Sequence, residues 1–296
     1  MSNPFVKSCE SDFLVLGMQE GETIVFPLRV LSTLIAVSVA SSWISWKKIN
    51  RLRLFFSHWF SGLVMSLGFL IEDMMISVCW ATSDLGGFIK TLKFVQLAAS
   101  HMLAITNLAI CVNFALIVSS HRTMSRVRSV NSPTLILLFA GISMVIAATA
   151  VPFWDVIIVL GTGFWFFSNN EAEFDFISVS MFHVEFVVGI CMFCTVTWLL
   201  LFRMKEIKEC WKLHRRIRYY FGLTILGTVA NLALGICGTV NVALAQQDSL
   251  LLAWSWVFRN AHIALDTIVL YGVLRERNLD ERTHGSRLTT NESSSG

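Results

Sequence analysis

The chain is 296 residues long, 55% hydrophobic and only 15% charged, with a formal net charge of +3. A soluble domain of this size carries about a quarter charged residues. The composition therefore excludes an ordinary soluble enzyme and places the chain in the membrane class.

The amino-terminal stretch Met1 to Glu22 has no apolar run of the kind a cleaved signal peptide needs, and sets Lys7 against Glu10, Asp12, Glu20 and Glu22. It reads as an extracellular tail over 1–22, which leaves the first hydrophobic segment as the insertion signal. A helix crossing about 30 Å of hydrocarbon needs roughly 20 apolar residues. Seven segments meet that requirement, at about 23–46, 54–80, 86–119, 132–154, 175–203, 217–241 and 249–274. The expected fold class is all-α: a polytopic, seven-transmembrane helix bundle over 23–274 as one domain, with a Ser/Thr-containing tail over 275–296.

The basic residues orient that bundle. Cytoplasmic loops retain Lys and Arg during insertion, and 18 of the 23 fall in four segments: Lys47–Arg53, Arg122–Arg128, Arg203–Arg218 and Arg275–Arg287. The amino terminus is thus expected outside and the carboxyl terminus in the cytosol. Neither an internal repeat nor a recurring helix break is visible, and those are the usual marks of a transporter.

Ionisable residues inside spans are costly, so each is a functional candidate. The second segment carries Glu72 and Asp73, the third Lys93 and His101, the fifth His183 and Glu185, and the seventh Arg259, His262 and Asp266. At about 1.5 Å per residue, Glu72, Lys93, Glu185 and Arg259 each fall roughly 10 to 15 Å below the outer boundary. Arg259, His262 and Asp266 share one helical face by their i, i+3, i+7 spacing. Two compatible readings stay open. The charges line a pocket for a small, partly polar ligand, with Glu72, Asp73, Lys93, His101, His183, Glu185, Arg259 and His262 as binding candidates. Or Arg259 pairs with Glu185 or Glu72, and Lys93 with Asp73, only to neutralise one another.

Asn107, Asn113, Asn231 and Asn260 are suited to hydrogen bonds between helices, typically about 0.6 to 2 kcal/mol each. Between Trp154 and Asp175 an aromatic run, Phe164 to Phe167, sits beside Glu171, Glu173 and Asp175, as an interfacial belt or a lid. Of the seven cysteines, Cys9 and Cys79 fall on the predicted outer side, where a disulfide is permitted, while most of the rest are expected as buried thiols. No metal-ligand spacing is present and no cofactor is expected. The third inner loop, basic from Arg203 to Arg218, would be drawn to an anionic leaflet and would extend the fifth and sixth helices as a docking surface.

Seven spans with short loops, an outside amino terminus, a basic third inner loop and a Ser/Thr tail together resemble the G-protein-coupled receptors over nearly the whole chain. The strings ITNLAICVNFALIV (105–118), SLGFLIEDMMI (66–76) and DTIVLYGVLRERN (266–278) look like the fungal nutrient-sensing and slime-mould cyclic-AMP receptor group. The resemblance implies a plasma-membrane, non-enzymatic receptor for a small extracellular ligand. It further implies a heterotrimeric G protein on the inner face, with Asn113, Arg122, Arg203, Arg215, Arg216 and Arg275 as contacts. The rhodopsin-like Asp-Arg-Tyr is absent, since Asn113, Phe114 and Ala115 stand nearest to it, and the sixth helix has neither Trp nor Pro. Besides the lipid bilayer, a second copy of the chain is an open partner, and no nucleic-acid partner is expected.

Three other functions compete. A carrier or channel would use the charged belt as a substrate or proton path. An intramembrane hydrolase resembling the ceramidase and adiponectin-receptor group would need zinc on His101, His183, His262 and Asp73, yet no helix pairs histidines at i, i+4. A retinal-based light sensor needs a lysine in the last helix, and 249–274 contains none.

Overall fold

A computed structural model describes residues 15–16, 22–42, 53–77, 85–119, 133–150, 155–159, 163–167, 184–213, 216–243 and 257–272. They form eight helices: α1 (Glu22–Ser42), α2 (Arg53–Ser77), α3 (Gly86–Ser119), α4 (Pro133–Ala150), α5 (Val184–Phe202), α6 (Met204–Leu213), α7 (Arg216–Ala243) and α8 (257–272). Every one of the seven apolar segments holds a helix. Four helices are long and apolar enough to cross a membrane: Arg53–Met75, Gly86–Ser119, Val184–Phe202 and Ile217–Cys237. The protein is therefore a helical membrane-embedded chain.

A small sheet accompanies the helices. β1 (Val15–Leu16), β2 (Asp155–Val159) and β3 (Gly163–Phe167) form a small sheet in that order, β1 parallel and β3 antiparallel to β2. DVIIV and GFWFF are β-branched and aromatic runs on either side of Gly161, a composition that suits a hairpin better than a helix or an open loop. Residues 151–154 of the predicted fourth segment lie outside the described residues. The sheet joins the region before α1 to the region after α4. β3 contacts α2 and β2 contacts α3, which seats the sheet at the end of the bundle where α2 finishes and α3 begins.

α3 is the central element. It contacts α2, α4, α5, α6 and α7, and each of four apolar clusters draws on it. Ile110 packs with Leu54, Trp59, Leu223 and Leu270; Leu103 with Ala36, Met65 and Ile263; Cys111 with Val188, Met192 and Val196; Phe114 with Leu199, Ile207 and Ile217. α4 lies at the periphery, with Leu137 72% and Val145 64% exposed. Such faces are ordinary where the surroundings are lipid rather than water.

Small residues set the closest helix approaches. A Cβ on Gly235 would lie 2.5 Å from Phe186 Cα, and one on Gly189 2.8 Å from the backbone nitrogen of Leu232. Glycine therefore lets the antiparallel α5 and α7 meet backbone to backbone. α5 and α6 are nearly one rod, since Arg203 N donates to Leu199 O at 2.9 Å and Ile207 N to Arg203 O at 3.0 Å. The basic loop thus continues α5 as a helix, as expected, and turns Ile207 back onto Phe114, Val118 and Ile217.

Candidate functional site: a buried polar axis along the central helix

Polar groups enter the bundle in three successive layers down α3. In the layer nearest the sheet, Lys93 Nζ donates to both oxygens of Glu72, at 2.8 and 2.9 Å, and Gln96 Nε2 donates to Glu72 Oε2 at 3.0 Å. Gly68 makes room for this layer, because a Cβ there would sit 2.6 Å from Gln96 Cγ.

Seven residues on, about 10 Å along the helix, Ser100 meets Glu185 of α5 and Arg259 of α8. Arg259 Nη2 donates to Ser100 Oγ at 2.9 Å and to Glu185 Oε1, and Ser100 Oγ donates to that same Glu185 oxygen. Arg259 is 0% and Glu185 3% exposed. Burying either charge alone would cost several kcal/mol, so the helices are tied by mutual need. Arg259 Nε and Nη1 have no partner among the described residues, and neither ring nitrogen of the fully buried His101 has one.

Below this, His58 Nε2 donates to Asp266 Oδ2 at 2.9 Å, and His262 Nε2 lies 2.9 Å from the same oxygen. The other nitrogen of His58 is 3.1 Å from the Thr106 hydroxyl, which itself donates into the α3 backbone at Met102. With two imidazoles against one oxygen the carboxylate is not a lone charge, while Asp266 Oδ1 and both ring nitrogens of His262 have no hydrogen-bond partner among the described residues.

Several expectations meet this geometry. Arg259 takes Glu185 of the two acids offered to it. The hydrogen bonds of Lys93 run to Glu72, the neighbour of the Asp73 it was paired with; Asp73 is buried one residue on. The single charged level resolves into two pairs at different heights, because α2 and α5 enter the bundle with different offsets against α3. Arg259, His262 and Asp266 do share a buried face. Of the asparagines, Asn260 bridges to Thr33 of α1 at 2.9 Å and Asn231 to Met192 Sδ of α5 at 3.8 Å as well as to Gly227 O in its own helix, whereas the Asn107 amide has no partner among the described residues. Cys111 is buried, but Cys191 and Cys194 are exposed on α5, against the expectation of buried thiols.

Of the partner-contact candidates, Asn113 is buried in α3 and Arg203 stands at the α5–α6 junction, donating to Glu206 at 2.9 Å. Arg122, Arg215, Arg275, His183, Cys9, Cys79 and the side chain of Arg216 lie outside the described residues. No three His, Cys, Asp or Glu among the described residues are grouped to hold a metal.

Sequence reasoning missed His58, Gln96, Ser100 and Thr106. A signal was present: His58 and Glu72 are fourteen residues apart on α2, Lys93 and Ser100 seven apart on α3, Arg259 and Asp266 seven apart on α8. A seven-residue interval is nearly two helical turns, so each pair lies on one stripe. No protein-family model matches this chain, and no curated protein is significantly similar to it.

Proposed function

We propose that the chain is a plasma-membrane receptor of seven helices, with its amino terminus and small sheet outside, that binds a small ligand and signals to a heterotrimeric G protein. The observation that supports this reading is that Glu185 and the basic residues of α6 stand on one rod. Glu185, in the first turn of α5, is tied to Arg259, and α5 runs almost without interruption into α6, whose Lys205 and Lys208 continue the basic surface. From Val184 to Leu213 that rod is about 45 Å long, enough to join the two faces of a membrane. A ligand that prefers the state in which Glu185 is released shifts the rod's equilibrium position. Arg122, Arg203, Arg215, Arg216 and Arg275 are the proposed G-protein contacts.

The test is nucleotide exchange by purified heterotrimers with the protein in lipid discs, beside a variant carrying Arg215→Gln and Arg216→Gln. Exchange that needs the intact arginines supports the receptor. Exchange absent for every heterotrimer, with and without pooled metabolites, sinks it. A carrier is the second reading, favoured by the extension of polar groups from Lys93 to Asp266, and flux of labelled substrate into proteoliposomes would then be the finding.

A further inference from the structure

The Arg259 guanidinium has more donors than its surroundings use, and the way they are used is lopsided. Nη2 serves both Ser100 and Glu185, while Nε and Nη1 have no partner among the described residues. A guanidinium offers a carboxylate two matching edges, one built from Nε and Nη2 and the other from Nη1 and Nη2. Both include Nη2. Glu185 meets Arg259 through the single oxygen Oε1, which Ser100 also holds, so the pair lacks the two-bond fork that an arginine and a carboxylate form when unconstrained.

We infer that Arg259 is the binding residue for a ligand carboxylate, which takes a two-bond grip on the guanidinium by displacing Glu185 from Nη2. This inference rests on the receptor reading for its purpose, and it names that receptor's ligand class as small carboxylic acids. Exchange of one carboxylate for another keeps Arg259 neutralised throughout, so no buried charge is left alone. Glu185 has somewhere to go. It lies in the first turn of α5, where a carboxylate is favoured near a helix amino terminus. His101, adjacent to Ser100 and fully buried with both ring nitrogens unpartnered among the described residues, supplies a second polar contact for whatever the carboxylate carries.

The probe is acetate, with acetamide as its neutral twin and chloride at matched ionic strength, read as the thermal unfolding midpoint of the full chain in lipid discs. Ligand binding to the folded state raises that midpoint with the logarithm of one plus the ratio of free ligand concentration to Kd. Acetate above its dissociation constant is expected to raise it by about 2–4 °C, with acetamide and chloride inert. In Glu185→Gln the competitor is gone and the arginine's charge is unmet, so the same rise should come at about tenfold lower acetate. Arg259→Lys should lose the response. If that variant does not fold, Glu185→Gln decides alone: an acetate concentration for the same rise no lower than in the original chain, or an equal rise with acetamide or chloride, overturns the inference. No G protein enters the measurement. An acetate response without nucleotide exchange would therefore remove the receptor and leave the site, and the reverse would remove the site alone.

Discussion

The two ends of α3 are held by opposite chemistry. Toward the sheet, Lys93 and Ser100 are enclosed by Glu72, Gln96, Glu185 and Arg259, and several donors there go unused among the described residues. At the other end Phe114 and Val118 are enclosed by Leu199, Ile207, Ile217, Trp211 and Phe221, with the Trp211 and Phe221 rings edge to face at 5.5 Å. Apolar contacts degrade gradually as atoms are trimmed, whereas a buried ion pair is all or nothing. The first end is therefore suited to discrete switching and the second to holding whichever packing results.

Breaking the polar end should have the largest effect. Glu185→Ala leaves Arg259 buried and uncompensated, and should cost about 3–5 kcal/mol of stability. The double variant Glu185→Leu with Arg259→Met replaces both charges by apolar groups of similar length and should recover most of that loss. Unfolding of the single and double variants in lipid discs checks it. A double variant as unstable as the sum of its singles would show that the two side chains do not depend on each other.

How far this asymmetry is legible in the sequence depends on the period of each element. The helices are legible because their apolar runs exceed what a span requires, and Arg259, His262 and Asp266 fall on one face by spacing alone. Which acid meets which base is not legible, since that depends on the axial offset between helices. The offset is set by contacts with no sequence period, such as Gly68 under Gln96 or Gly235 against Phe186. Lys93 hydrogen-bonds Glu72, where the sequence offers Asp73 equally well, because adjacent residues on a helix point about 100° apart, and nothing local says which of the two faces α3. The sheet was missed because its first strand is two residues from a tail without periodicity, and its pairing with β2 spans four helices.

The glycines offer a sharper comparison, because two in the bundle should respond with opposite sign. Gly235→Ala would put a methyl 2.5 Å from the Phe186 backbone, forcing α5 from α7, and should cost about 1–3 kcal/mol. Gly141→Ala, at a position in α4 where a Cβ meets nothing within 4 Å, should stabilise by about 0.5–1 kcal/mol through helix propensity. Both are read from unfolding midpoints. Destabilisation by Gly141→Ala would mean that α4 is covered by a partner, a second copy being the first to look for.

At the apolar end the effects should be smaller and graded. Ile207→Val trims one methylene from the contact between α6 and Phe114 and should cost about 0.5–1.5 kcal/mol. If α6 holds the arm closed, the same variant should also raise basal nucleotide exchange, which no loss at Glu72 or Lys93 would do by this route.

The smallest effect is expected at the junction between the two ends. Arg203 and Glu206 pair at 2.9 Å with side chains 38% and 21% exposed, a setting in which ion pairs contribute about 0.2–1 kcal/mol. Glu206→Gln should thus barely move the unfolding midpoint. It does free Arg203, which keeps its place over the Trp198 ring at 5.7 Å. If Arg203 contacts an acidic surface on a G protein, that release should strengthen coupling while stability stays the same. Unchanged coupling together with unchanged stability would strike Arg203 from the docking surface and confine it to the arm beyond Lys205.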